Sequence, residues 1–228
     1  LNYIDIHTHS FYRDAETNLV VNVFPDELEK LQHPALFSVG LHPWHIRENS
    51  LENDLGTVMS AAGITSVIAI GETGLDKVTG IPYNIQTLAF EKQLDIAQSM
   101  GKALILHCVR SYSEMISYRK KSDLSLPWIF HWFNSDEQMA AQLIRKNCFL
   151  SFGHNLFNEQ SRAFRTFRNL PASHIFFETD DAGFTIQEIY QRASQIKKTG
   201  LEELKTQIVD NFARCFNTNW NGNLVKPD

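Results

Sequence analysis

Apolar runs of period two alternate with longer stretches of period three to four along most of the chain. A two-residue period throws successive side chains to opposite faces of a strand, whereas steps of three and four line one face of a helix. On that pattern strands are predicted at Tyr3 to His7, Leu19 to Val23, Ala35 to Leu41, Ser66 to Gly71, Ala103 to His107, Trp128 to His131, Cys148 to Phe152 and His174 to Thr179. Helical stretches separate most of them. One follows Asn84, with Ile85, Leu88, Ala89, Ile96, Ala97 and Met100 at its apolar positions and Gly101 as its stop. The last carries Leu201, Leu204, Ile208, Phe212 and Phe216 behind a Thr199-x-x-Glu202 capping box. Alternating strands and helices predict an α/β protein, and eight strands predict a TIM-type (β/α)8 barrel. Neither repeat nor linker interrupts the pattern, so a single domain over residues 1–228 is expected. One connection does not fit. Between His9 and Leu19 there is no room for a crossover helix, although parallel neighbours need about a dozen residues or more. The second strand is therefore expected to run antiparallel to the first, or to sit loosely at the edge of a somewhat distorted barrel.

Composition narrows the class. Of 228 residues, 43% are hydrophobic and 21% charged, the balance of a globular chain with a sizeable core. No apolar stretch is long enough to span a bilayer and no charged-then-apolar leader is visible, so no membrane partner is expected, and the cytoplasm is the expected compartment. Cys108, Cys148 and Cys215 lie far apart without a Cys-x-x-Cys pair, which suits reduced, buried thiols. A formal charge of −5 argues against broad electrostatic capture of nucleic acid but leaves room for a local basic groove.

Candidate chemistry gathers at the predicted C-terminal ends of the strands, where parallel barrels carry their functional groups. Asp5, His7 and His9 share one face of the first strand, and two imidazoles so placed can hold one ion. The third strand ends at His42, the fourth at Glu72, the fifth at His107, the sixth at His131 and the eighth at Asp180. Each alone is more commonly a solvated or capping residue; their joint occurrence at one end of successive strands is what points to a site. Histidines and two carboxylates in this number exceed one tetrahedral site and suit two ions sharing a bridging carboxylate. The Arg162, Arg165 and Arg168 stripe reads as a solvated helix face. Cys108 reads as packing, and His33 and His174, near strand starts, as structural.

The strings IDIHTH, GLHPW, IGETGLD, the Gln86, Phe90, Gln93 and Leu94 helix, LILHC, HWF, LSFG, ETD and a terminal N-F-x-x-x-F occur in that order and resemble the TatD family of metal-dependent hydrolases. The resemblance runs through nearly the whole chain. It implies an amidohydrolase-like barrel and a metal-dependent deoxyribonuclease. Position by position it makes His7 and His9 the first ligand pair, Glu72 the bridging carboxylate, His107 and His131 ligands of the second ion and Asp180 the acid after the last strand. Two divalent ions per chain are implied, with zinc, magnesium and manganese all compatible with mixed His and carboxylate ligands. Asp180 is expected to orient and deprotonate a metal-activated water, with Glu72 also counted catalytic. His42, Arg110 and His154 are candidate substrate contacts.

The chain also departs from the family pattern. Cys108 and Val109 intervene before Arg110, Trp132-Phe133-Asn134-Ser135 replaces a small, Gly-containing segment after His131, and the family's long loop after the last strand is missing. An open site acting on single-stranded DNA ends, in a monomer, is the expectation. Two other readings stand beside it: hydrolysis of a small-molecule amide, lactone or ester on the same fold, and a non-enzymatic protein that kept the fold.

Overall fold

The computed structural model describes residues 1–12, 14–122 and 125–216; residues 217–228 of the expected domain lie outside the described residues. Eight parallel strands follow one another in chain order in one sheet, the TIM-type (β/α)8 arrangement: β1 (Tyr3–Thr8), β2 (Thr17–Val23), β3 (Leu36–Val39), β4 (Val67–Asp76), β5 (Ala103–Val109), β6 (Trp128–Phe130), β7 (Cys148–Phe152) and β8 (Ile175–Phe177). The helices are α1 (Leu51–Ala62), α2 (Tyr83–Met100), α3 (Tyr112–Lys121), α4 (Glu137–Ile144), α5 (Arg162–Asn169), α6 (Ile186–Lys197) and α7 (Leu201–Phe216). The chain forms two compact units, Leu1–Val21 with the chain from His131 onward, and Asn22–Phe130.

In the first unit β2 runs parallel to β1, with Tyr3 opposite Thr17 and Thr8 opposite Val21, so the antiparallel expectation is corrected. The physical reason is reach. Returning along a strand of this length covers about 17 Å, and a connection of eight residues can reach further than that, at up to about 3.3–3.6 Å per residue, without a helix. The return is tied down locally. Tyr3 N–H donates to Glu16 O at 2.7 Å, Asp14 accepts from Glu16 N–H and the Thr17 hydroxyl, and the Tyr12 hydroxyl donates to Asp5 at 2.8 Å. β8 joins β1 through a parallel bridge between Thr8 and Asp180. Against these strands α6 sets Tyr190, whose hydroxyl donates to Ile4 O and accepts from Ile4 N–H, and α7 buries Leu204, Ile208 and Phe212. The capping box that closes is at Thr185 and Glu188, ahead of α6; Glu202, assigned that task for α7 from the sequence, pairs with Lys205 instead.

In the second unit β4 runs on to Asp76, past the stop predicted at Gly71, because it stays paired with β5: Gly74 lies opposite His107 and Asp76 opposite Val109. Glu72 therefore projects from within a strand. On α2, which starts at Tyr83 and stops on left-handed Gly101 (φ 62°), Gln86 and Gln93 are seven residues apart and hence on one face. Both are buried, and they hold backbone that carries site residues.

Candidate metal centre

Within Asn22–Phe130, His42, Glu72 and His107 offer ligand atoms that all lie within 4.8 Å of one another, and all three side chains are buried or nearly so. His42 Nε2 is 3.1 Å and His107 Nδ1 2.7 Å from Glu72 Oε1. Each is placed by a different device. The Gln93 amide clasps Leu41, accepting from its N–H at 2.7 Å and donating to its carbonyl at 3.1 Å, which fixes the turn that presents His42. Buried Asn22 accepts from Glu72 N–H and from the Ser38 hydroxyl, locking β4 where Glu72 projects. The Gln86 amide does for Asp76 what Gln93 does for Leu41, accepting from its N–H at 2.8 Å and donating to its carbonyl at 3.0 Å. Asp76 in turn lies 3.1 Å from His107 Nε2 and accepts from the Trp44 indole N–H at 2.6 Å. Burial pushes the Asp76 carboxyl up, but hydrogen bonds from Trp44, Val78 N–H and His107 outweigh it and hold it below the usual range. An ionised Asp76 on one imidazole nitrogen leaves the other nitrogen, toward Glu72, as the ligand atom, the carboxylate–histidine pairing seen behind metals.

Within the other unit His7, His9 and Asp180 converge. Asp180 Oδ1 is 3.6 Å from His7 Nε2 and 3.3 Å from His9 Nε2. The turn that delivers Asp180 is left-handed (φ 53°), a conformation costly for a non-glycine residue and held by its surroundings. Asp180 N–H donates to His7 O at 3.0 Å, and buried Asp5 accepts from both the Thr179 N–H at 3.0 Å and the Thr179 hydroxyl at 2.6 Å. Burial pushes Asp5 up to about 6, opposed by the hydrogen bonds from Thr179 and Tyr12. His131 packs its ring 4.6 Å from that of His7 and lies 3.9 Å from Glu178. Glu178 is fully buried and accepts from Trp132 N–H; burial pushes it up to about 8, against the pull of His131.

Of the residues expected to act, the structure thus brings together His42, Glu72 and His107 in one unit, and His7, His9, Asp180 and His131 in the other. His42, read from the sequence as a substrate contact, stands among the candidate ligands. Arg110 is exposed just past β5 in a left-handed turn (φ 53°). His154 packs edge-on against Trp132 at 4.4 Å and lies near-parallel to Phe184 at 5.9 Å. Sequence reasoning passed over Asp76, Glu178, Asn22 and the clasping roles of Gln86 and Gln93. For Asp76 a signal existed: it is four residues past Glu72, an even step that keeps both on one face once the strand is known to continue. The Arg162, Arg165 and Arg168 stripe is exposed. The Cys108 thiol is pushed up by burial, consistent with packing.

A parallel α/β barrel carrying His and carboxylate clusters at its strand ends defines a metal-dependent hydrolase. The family model described as TatD related DNase matches residues 25–217, and the chain belongs to that family. It is 23% identical to the uncharacterized metal-dependent hydrolase YabD of Bacillus subtilis over 198 residues, which is 80% of this chain and 77% of the relative. It is 34% identical over 113 residues to the 3'-5' ssDNA/RNA exonuclease TatD of Yersinia pseudotuberculosis, covering 44% of this chain and 40% of that protein. The crystal structure of YJJV, a TatD homologue from Escherichia coli, superposes with a TM-score of 0.80 at 20% identity, covering 95% of this chain and 98% of that one. Among the described residues no helix is long and apolar enough to cross a membrane.

Proposed function

We propose that the chain is a nuclease that hydrolyses phosphodiester bonds at single-stranded DNA ends with two divalent ions. The observation that carries this reading is the pair of ligand sets at the strand ends, His7, His9 and Asp180 in one unit and His42, Glu72 and His107 in the other, each mixing imidazole with carboxylate. Neutral imidazoles with one carboxylate are a donor set suited to zinc, manganese or magnesium, and Asp76 behind His107 supplies the supporting hydrogen bond such ligands need. A divalent ion bound there supplies charge to the phosphoryl oxygens and lowers the pKa of water from about 16 towards roughly 7.

The protein's own groups then have separate tasks. His42 and His107 hold the Glu72 side of the site, and His131, against His7, fixes that imidazole's plane. Asp180, whose Oδ1 lies 3.6 Å from His7 Nε2 and 3.3 Å from His9 Nε2, would take the proton of the attacking water. Support for nucleic acid as substrate comes from the Yersinia relative, named as a 3'-5' ssDNA/RNA exonuclease. The net charge of −5 makes flexible ends, held mainly at the ions, a better substrate than long tracts bound along a basic surface.

The test is degradation of end-labelled single-stranded DNA with magnesium, manganese or zinc, before and after chelation, by the native chain and by Asp180→Asn and Glu72→Ala. Ion-dependent cleavage lost in both variants is the expected result. No cleavage with any ion, together with turnover of an amide or lactone, would replace this reading with a small-molecule hydrolase.

A further inference from the structure

Beside the His42, Glu72 and His107 cluster, wholly within Asn22–Phe130, lies a cavity of about 560 Å³ with an apolar wall of Phe24, Leu41, Trp44, Ile46 and Ile81. That size and lining are those of a small-molecule subsite. Trp44 is its unusual member. The indole is 57% exposed, yet its N–H is anchored at 2.6 Å on buried Asp76, and its ring sits 5.1 Å from that of His42 and 5.7 Å from that of His107. An exposed aromatic ring fixed in place next to a candidate metal cluster is a preformed stacking surface. Phe24, edge-on to His45 at 4.6 Å, gives the cavity a second ring.

The rim sorts what can enter. Asp26, Glu27 and Asp54 line it with carboxylates beside the guanidinium of Arg47, so acceptors for N–H groups on the edge of a neutral ring outnumber the cation that could hold a phosphate there. We propose that this cavity is a nucleobase subsite: one base of the substrate stacks on Trp44 while its phosphate reaches the adjoining His42, Glu72 and His107 cluster. The inference rests on the phosphodiester reading above and adds to it that the enzyme grips a base as well as the backbone. Stacking tolerates every base, so the subsite selects for an unpaired base without selecting its identity.

The experiment uses the full chain with saturating manganese, a dinucleoside phosphodiester and the two versions of it lacking one base. Trp44→Phe and Trp44→Ala both lose the bond to Asp76, so harm to the metal cluster cancels when the two are compared, and only Trp44→Ala loses the ring. The expected result is a KM about 5- to 150-fold higher for Trp44→Ala than for Trp44→Phe on the intact compound. That ratio should fall to near one when one particular base is removed. The same ratio on all three compounds would overturn the proposal. Should the native chain hydrolyse none of them, the phosphodiester reading fails on its own, and indole fluorescence titrated with dAMP and with deoxyribose 5-phosphate decides the subsite. Quenching by dAMP alone, absent in Trp44→Phe, upholds a base pocket; equal responses to both ligands, or none, overturn it.

Discussion

Gly74→Ala tests how the family string IGETGLD builds the site. Gly74 has φ +151°, and a Cβ placed there would lie 1.9 Å from the carbonyl oxygen of His107, where real contacts stay beyond 3.0 Å. The strands are paired at that very point, Gly74 opposite His107. Accommodating a methyl group therefore means opening the pair by more than an ångström, a large fraction of a normal strand spacing of about 4.8 Å. The ladder bonds flanking the pair, each contributing about 0.5–1.5 kcal/mol, weaken together. The backbone conformation adds strain of about 1–3 kcal/mol for any residue with a Cβ. A total loss of about 3–5 kcal/mol follows, a large share of the stability of an ordinary domain.

The assay is urea unfolding with linear extrapolation, paired with calorimetric titration of manganese. Because His107 moves with the strand, metal affinity should fall along with stability. Gly80→Ala, where the added methyl meets nothing within 4 Å, is the control and should change stability by less than about 0.5 kcal/mol. If Gly74→Ala lost less than about 1 kcal/mol and bound metal as the native chain does, the packing argument and the placement of His107 that depends on it would both be wrong.

Other outcomes can be checked alongside. His42→Ala should weaken manganese binding at least about tenfold by calorimetry, as His107→Ala should, if His42 is a ligand rather than a substrate contact. Lys197 donates from α6 to the Phe167 and Leu170 carbonyls at the end of α5, so Lys197→Met should cost about 1–3 kcal/mol in urea unfolding. Burial pushes the Lys197 ammonium down to about 8. Between there and the ordinary lysine value of about 10.4 the unfolded chain binds the extra proton, so stability should rise with pH across that window and stay flat below it, a rise absent in Lys197→Met. Single-stranded ends should be cleaved faster than a blunt duplex, whose terminal unpairing costs a few kcal/mol, and the rate should fall as salt rises.

The sequence was most informative where chemistry and period coincide. Strand ends carrying His7, His42, Glu72, His107, His131 and Asp180 could be found because apolar runs mark the strands and titratable residues follow them. What escaped was whatever depends on partners distant in sequence. Gln86 and Gln93 sit at helical positions that look like ordinary polar ones, and only the fold shows each amide clasping a backbone carbonyl and N–H. Trp132 gives no sign in the sequence of its left-handed turn, being a bulky residue that rarely adopts one, and Asp180, of a type that tolerates the conformation, shows only that such a turn is allowed. The direction of β2 is not legible from the length of its connection, because a parallel return needs reach rather than a helix, and eight residues supply it.

That return also explains how His7 and Asp180 are held together although the connections around them are short. Asp5 accepts Tyr12, from the return, on one side and Thr179, one residue before Asp180, on the other. The connection, the strand bearing His7 and the turn bearing Asp180 are thereby joined through a single buried carboxylate. Directly after that turn the chain enters α6 through the Thr185 capping box, which ends the loop without needing contacts from a longer insertion. The backbone that aims His7 and Asp180 is therefore secured from inside the unit. Length could be lost from the loops outside it while the distances of 3.6 Å and 3.3 Å from Asp180 to His7 and His9 stayed within range of a shared ion. The loops govern what approaches, and the hydrogen bonds of Asp5 govern what it meets.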